Sequence, residues 1–364
     1  MLNPLTSLRF FAALLVVIAH IGYGTYHLGG TGVAFFFVLS GFILAYNYGG
    51  LYENLEVSSV IRMYGLRLSR IYPMHLVTLM ASIPLILSTQ FPGIQTLLAN
   101  ITLTQSWYPH GIEIFAFNGV SWTLSVELAF YLLLPFALYV SHKSGLTRTP
   151  FRCVTAALGC LCIAVTMKLP FEGWKLQQFT RAWWFLYISP LPHVFIFLTG
   201  LFTGLWYNQV KPRVQTSVKA ATAFEVAAIS AMVMGFLLMH FWAIKFQGGL
   251  EICLIPAFAF AISVFAVGRG KISSILSHPL LVLLGEISFS LYMVHQLVFF
   301  YLDKYVTQVT DPSGPLTIKF GATLGAVLLA FATFRLIEEP SRVVAKRLVS
   351  ARKDGRAPRA VSRI

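Results

Sequence analysis

Two kinds of side chain stand apart in this chain: imidazoles and carboxylates inside long apolar runs, and guanidinium groups at the edges of those runs. Arg9 and His20 share one run, Leu5–His20, with ten residues between them. At about 1.5 Å of rise per residue they lie roughly 16 Å apart along a helix. If Arg9 marks one edge of a hydrocarbon core about 30 Å thick, His20 sits near its middle. A histidine there can take or give a proton near neutral pH. It can also serve as a hydrogen-bond partner for a neighbouring helix. An ionisable group at that depth is costly to keep, which favours a functional role.

Arg67 and Arg70 stand three residues apart in Arg67-Leu68-Ser69-Arg70-Ile71-Tyr72-Pro73, on one helix face, with Arg62 nearby. Paired guanidinium groups suit phosphate oxygens, whether of a ligand or of lipid headgroups. His75, just beyond Pro73, reads as interfacial. In Asn118-Gly119-Val120-Ser121-Trp122-Thr123-Leu124-Ser125-Val126-Glu127, the carboxylate falls about six residues, or roughly 9 Å, inside the opposite boundary. It must be paired, protonated or wetted. His20 is expected roughly 14 Å from the same surface, so Glu127 can orient it and stabilise its imidazolium if the two helices adjoin. In Gly285-Glu286-Ile287-Ser288-Phe289-Ser290-Leu291-Tyr292-Met293-Val294-His295, Tyr292 and His295 share a face, with His295 roughly 10 Å deep. Ser40, Trp122, Ser125, Tyr292 and His295 read as lining the site.

The elements that hold these residues are transmembrane helices. Of 364 residues 57% are hydrophobic and only 11% charged, against about 25% charged in a soluble domain. The fold class is therefore all-α: a polytopic integral membrane bundle of about ten helices. The apolar runs place them near 8–27, 32–49, 73–91, 121–141, 151–168, 190–208, 220–243, 250–267, 280–302 and 316–337. Residues 92–119, broken by Pro92, Pro109 and Gly111, read as a re-entrant or outer-surface segment. Both termini are expected in the cytoplasm, because only Lys168, Lys175, Arg181, Lys245, Lys304 and Lys319 of the 27 Lys and Arg residues then fall on the other side. The formal charge of +14 thus follows the positive-inside rule and does not point to nucleic acid.

Trp174, Trp183 and Trp184 suit an interfacial platform. Cys153, Cys160, Cys162 and Cys253 lie in apolar runs without metal-ligand spacing and read as small core residues. Gly200 and Gly204 suit close helix packing. No cleavable signal peptide and no appended soluble domain are expected. The chain divides into a membrane domain, 1–341, and a basic cytoplasmic tail, 342–364, held near anionic headgroups.

Several of these strings resemble motifs of the membrane-bound acyltransferase-3 family. The opening is Arg9 and His20, then Gly32-Val33 and Phe36-Phe37-Val38-Leu39-Ser40-Gly41-Phe42. Arg67 to Pro73 is similar to the second motif. Trp122 to Glu127 follows a third, with Thr123 in the slot after the tryptophan. Gly285 to His295 follows a fourth, with Met293 in place of a leucine. Arg335-Leu336-Ile337-Glu338-Glu339-Pro340 is similar to the closing string and reads as a helix-end ion pair. The set runs in order from Thr6 to Arg342.

The resemblance implies an acyltransferase that takes an acyl group, commonly acetyl, from cytoplasmic acyl-CoA as co-substrate, with no permanently bound cofactor or metal. His20 and Glu127 would be catalytic, and Arg9, Arg67 and Arg70 would bind the donor phosphates. The acceptor would be a hydroxyl of a lipid-linked or nascent polysaccharide, with exopolysaccharide first in line, at the bacterial cytoplasmic (inner) membrane and beside polysaccharide synthesis or export machinery. Small-molecule acceptors also occur in the family. Two other classes are compatible with the residues: a transporter or flippase of a lipid-linked saccharide, with His20 and Glu127 as a proton relay, and a non-enzymatic membrane partner that organises a polysaccharide synthase.

Overall fold

The structure, a computed structural model, describes residues 2–21, 26–52, 56–87, 91–109, 111–168, 177–243, 250–306 and 309–353. Trp174 and the end of the tail, 354–364, lie outside these residues. All regular structure among the described residues is helical. In chain order the helices are α1 (Asn3–His20), α2 (Tyr26–Tyr48), α3 (Val57–Leu87), α4 (Ile94–Ile101), α5 (Trp122–Lys143), α6 (Pro150–Lys168), α7 (Arg181–Tyr187) and α8 (Pro190–Val210). Then follow α9 (Val218–Ala243), α10 (Ile255–Val267), α11 (Lys271–Leu276), α12 (Pro279–Glu286), α13 (Ser288–Tyr305), α14 (Leu316–Thr333) and α15 (Glu339–Lys353).

Among the described residues eight helical segments are long and apolar enough to cross a membrane, and the pair α12–α13, bent by 58°, makes a ninth. The remaining apolar run forms the shorter α10. This is a polytopic membrane bundle. The 92–119 segment is not a span: α4 has eight residues, about 12 Å of helix, and short 3-10 turns at Gly111–Phe115 and Gly119–Ser121 lead into α5.

Close backbone contact sets the geometry of the core. A Cβ at Gly200 would lie 2.0 Å from the Val38 carbonyl oxygen, and one at Gly41 would lie 2.1 Å from that of Phe197. Helices α2 and α8 therefore cross glycine to glycine, the small-residue packing available where lipid offers no hydrophobic drive between helices. Gly285 does the same for α12 and α1: its Cβ would sit 1.9 Å from the Thr6 carbonyl oxygen. Just past Gly285 the chain breaks into α13, so the contact that seats α1 also sets the direction of the helix bearing Tyr292 and His295.

Three boundaries differ from the sequence-based ones. Helix α1 begins at Asn3, with Pro4 in its first turn, where a missing N–H costs nothing, and it ends at His20. His20 is thus the last residue of its helix. Helix α3 runs unbroken through Pro73 and Pro84. The stretch bearing Arg67 and Arg70 is therefore helical and continuous with the span, because membrane helices tolerate proline when neighbours satisfy the freed backbone. His75 is not interfacial but buried, and its Nε2 donates to the Asn100 carbonyl oxygen at 2.8 Å, tying α3 to α4.

Gly200→Ala should cost about 1–3 kcal/mol or abolish folding, since the α2 backbone must move to admit it. Gly321→Ala on the open face of α14, where an added Cβ meets nothing within 4 Å, should change stability by less than about 0.5 kcal/mol. Thermal unfolding of both variants in one detergent, with the monodisperse yield, checks the contrast.

Candidate functional site

Helices α1 and α13 bring two histidines into contact. Each ring donates from Nδ1 to the carbonyl four residues back on its own helix, His20 to Val16 at 2.9 Å and His295 to Leu291 at 3.1 Å. A carbonyl oxygen can only accept. Both Nδ1 atoms therefore carry the proton, and in a neutral ring Nε2 is left as a lone pair. His295 Nε2 lies 3.2 Å from His20 Nδ1, so the His20 proton is shared between the Val16 carbonyl and the second ring. His20 Nε2 has no hydrogen-bond partner among the described residues. It is the nitrogen free to take a proton.

His295 is fully buried. Its ring lies 6.0 Å from that of Tyr292 and 5.9 Å from that of Phe299. The Tyr292 hydroxyl sits 2.9 Å from Thr123 Oγ1 and donates to the Val120 carbonyl at 3.2 Å. Two further bonds lock the start of α5 against α13: Asn118 Nδ2 donates to Met293 O at 2.9 Å, and Val120 N–H donates to Gln296 Oε1 at 3.1 Å.

On the other side of Tyr292 a cavity of about 680 Å³ opens between α1, α2, α3, α5, α12, α13 and α15. Tyr292 and Phe36, whose rings are 6.3 Å apart, lie on its wall. Arg9, Arg67, Arg70, Arg342 and Lys346 line it against two carboxylates, Glu127 and Glu286. Arg67 lies over the Tyr48 ring at 5.0 Å, and its Nε is buried without a hydrogen-bond partner. Among the described residues Arg9, Arg67, Arg70 and Lys346 make no ion pair. Partly buried arginines without an ion-pair partner, with the exposed Lys346 beside them, suit an anionic ligand.

The family model for the acyltransferase domain, type 3, matches residues 4–335. The chain belongs to the acyltransferase-3 family. Among curated proteins it is similar to the acyltransferase MdmB of Streptomyces mycarofaciens, 29% identical over 82% of this chain and 79% of that protein. It also resembles the O-acetyltransferase OatA of Staphylococcus aureus, 22% identical over 94% of this chain but only 57% of that protein. Nodulation protein 10 of Rhizobium leguminosarum bv. viciae is 24% identical over 96% of both chains. No solved structure matches the chain. The protein is thus a multi-pass membrane acyltransferase.

In this acyltransferase the residues singled out by sequence fall into three places. Arg9, Arg67, Arg70, Ser40, Glu127 and Tyr292 line the cavity. His20 and His295 form the pair beyond Tyr292. Trp122 and Ser125 do not line the cavity; they anchor the turn after α4. Ser106 N–H donates to Ser125 Oγ at 3.2 Å and Ser106 Oγ to Trp122 O at 2.7 Å, while Trp184 Nε1 reaches Ser106 O at 3.0 Å. Arg62 is exposed and outside the cavity lining.

The expected contact between Glu127 and His20 is absent. Glu127 Oε1 instead accepts from Tyr131 Oη at 2.5 Å, with Ser40 Oγ at 3.5 Å. Glu127 faces the arginine cavity and His20, at the end of its helix rather than in the middle of a span, faces α13. Sequence reasoning missed Tyr131 as the carboxylate's partner, although its i+4 spacing was visible, and missed Arg342 and Lys346 as cavity residues. Arg335 does pair with Glu339, at 2.8 Å.

Tyr131→Phe should cost on the order of 1–2 kcal/mol, because it leaves Glu127 with one distant hydroxyl. In a Glu127→Gln background the same change should cost clearly less. Thermal unfolding of the four proteins in detergent measures the coupling.

Proposed function

We propose that this protein transfers an acyl group, most simply acetyl, from acyl-CoA to a hydroxyl of an exported bacterial polysaccharide or its lipid-linked precursor. The observation that carries the proposal is the pairing of two unlike environments across Tyr292. One is a cavity with partly buried, unpaired arginines, suited to phosphates. The other is a histidine pair that leaves one ring nitrogen free. Similarity to the O-acetyltransferase OatA supports oxygen as the acceptor atom and acetyl as the group.

Arg67 and Arg70 hold phosphate oxygens of the donor, and Arg9 lines the same cavity from α1. Helix α3 presents the two arginines one turn apart, and each guanidinium can take two oxygens of a phosphate. The thioester end extends toward Tyr292 and Phe36. His20 Nε2 takes the proton of the acceptor hydroxyl as its oxygen attacks the thioester carbonyl. The carbon–sulfur bond breaks, the ester forms, and the proton passes from His20 to the departing thiolate, which leaves as free CoA. His295 is a positioning residue. As acceptor for the His20 Nδ1 proton it holds that ring in the tautomer whose Nε2 is free, and it shares the positive charge when His20 is protonated. Glu127 acts on the donor side, where its carboxylate offsets part of the arginine charge.

The arginine end then faces the cytoplasm, where acyl-CoA is made, and the histidine end opens toward the acceptor on the other side of the inner membrane. Both termini lie inside in this arrangement, in keeping with the distribution of basic loops.

The test is ester-linked acyl content of surface polysaccharides in a gene deletion complemented by wild type, His20→Ala or His295→Gln, at matched membrane levels. Wild type should restore the ester and His20→Ala should leave less than about 1% of it, the loss typical of removing a general base. His295→Gln, which keeps a hydrogen-bond acceptor, should retain more activity than His295→Leu, with kcat falling and the KM for acyl-CoA unchanged. Normal ester with His20→Ala would contradict the mechanism. Unchanged ester on every polysaccharide in the deletion would redirect the acceptor to a small molecule.

A further inference from the structure

Helix α15 begins where sequence reasoning placed a passive tail. A π turn, Phe334–Glu338, joins it to α14. The extra residue in such a turn re-aims everything that follows. Within the turn, Arg335 points outward, half exposed, paired with Glu339 and stacked on Phe331 and Phe334. At its end Glu338 points inward. Its side chain is fully buried, and Oε2 accepts from Ser290 Oγ on α13 at 2.8 Å.

Glu338, Arg342 and Lys346 follow at four-residue intervals and so share one face of the helix. Arg342 and Lys346 both line the cavity that Arg9, Arg67 and Arg70 line. Meanwhile Val343, Val344 and Leu348 are exposed. A segment resting only on lipid headgroups would turn its valines toward lipid and its cations toward the headgroups and water. Two of its cations here turn toward the cavity.

Arg342 is not spent on its neighbour. Its nearest nitrogen is 3.7 Å from Glu338 Oε1, beyond hydrogen-bond reach, and that buried oxygen has no hydrogen-bond partner. The guanidinium is held in place by charge while its donors stay available. Lys346 forms no ion pair among the described residues. With five cations against two carboxylates on its wall, the cavity suits a ligand with several phosphate groups, each carrying about −1 to −2.

We propose that α15 completes the anion site: Arg342 and Lys346 bind phosphate oxygens of the same polyphosphate ligand that Arg67 and Arg70 hold, from the adjoining helix. This rests on the acyl-CoA reading above, which makes the ligand the adenosine 3′-phosphate 5′-diphosphate portion of the donor. The buried Ser290–Glu338 hydrogen bond is what positions the helix for it.

The experiment is equilibrium binding of radiolabelled acetyl-CoA to the full-length protein in phosphatidylcholine nanodiscs, with displacement by unlabelled adenosine 3′-phosphate 5′-diphosphate and by acetyl-pantetheine. Arg342→Ala/Lys346→Ala should weaken acetyl-CoA and the nucleotide by about tenfold or more, and acetyl-pantetheine, which has no phosphate, by less than about twofold. Lys346→Glu, at the exposed rim and unable to disturb the core, should act in the same direction if the double variant does not fold. Arg335→Ala, on the outward face, should leave binding of acetyl-CoA unchanged.

If wild type binds acetyl-CoA and these variants bind it equally well, the role of α15 is overturned while the donor reading stands. If wild type binds no acetyl-CoA, the donor reading itself has failed. The same measurement in phosphatidylglycerol nanodiscs separates the sources of phosphate. Loss of bound anionic lipid in the double variant, with acetyl-CoA binding intact, would assign the helix to headgroups and overturn the proposal.

Discussion

The geometry of the histidine pair depends on two backbone carbonyls that can do nothing but accept. Val16 and Leu291 each hold the Nδ1 proton of a histidine four residues on. With both protons committed, the ring-to-ring contact has only one arrangement in the neutral pair: His20 donates, His295 accepts, and His20 Nε2 is left bare. A tautomer chosen by fixed geometry is then available as a base without reorganisation. Everything that makes the contact possible is packing. Gly285 lets α12 touch the backbone of α1, the 58° break swings α13 toward it, and α1 stops at His20.

The second constraint is the cost of charge inside an apolar bundle. The structure does not clamp its cavity arginines in close ion pairs; Glu127 accepts from Tyr131 and Glu338 from Ser290, and Arg9, Arg67 and Arg70 are left without ion pairs among the described residues. A site organised this way pays for its vacancy of charge partners only when an anion is absent. Tyr292 stands between this cavity and the histidine pair, fixed by Thr123 and Val120. A two-part substrate, anionic at one end and reactive at the other, fits that division.

Much of this was legible in the sequence. Hydropathy located every long helix, the i, i+3 spacing of Arg67 and Arg70 placed them on one face, and Gly200 and Gly204 do mediate close packing. Residue counting yields depth along a helix, and it put His20, His295 and Glu127 at comparable levels. What it cannot yield is rotation about the helix axis, which decided that His295 and not Glu127 faces His20. Proline rules written for soluble helices misplaced the start of α3, because the interior of a membrane bundle supplies other partners for the freed backbone. The π turn has no composition signal, so the cations of α15 looked like an ordinary basic tail.

The most direct test of the account is the tautomer of His20. Nitrogen-15 NMR of histidine-labelled protein, with His20 and His295 assigned by the loss of their signals in His20→Gln and His295→Gln, reports which ring nitrogen carries the proton. Measured at a pH where both rings are neutral, the account predicts a protonated Nδ1 and a bare Nε2 on both histidines, and a change at His20 when His295 is replaced. A protonated Nε2 on His20 in the neutral protein would contradict it, because the bare nitrogen would then be Nδ1, turned toward Val16 and His295 and closed off from a substrate.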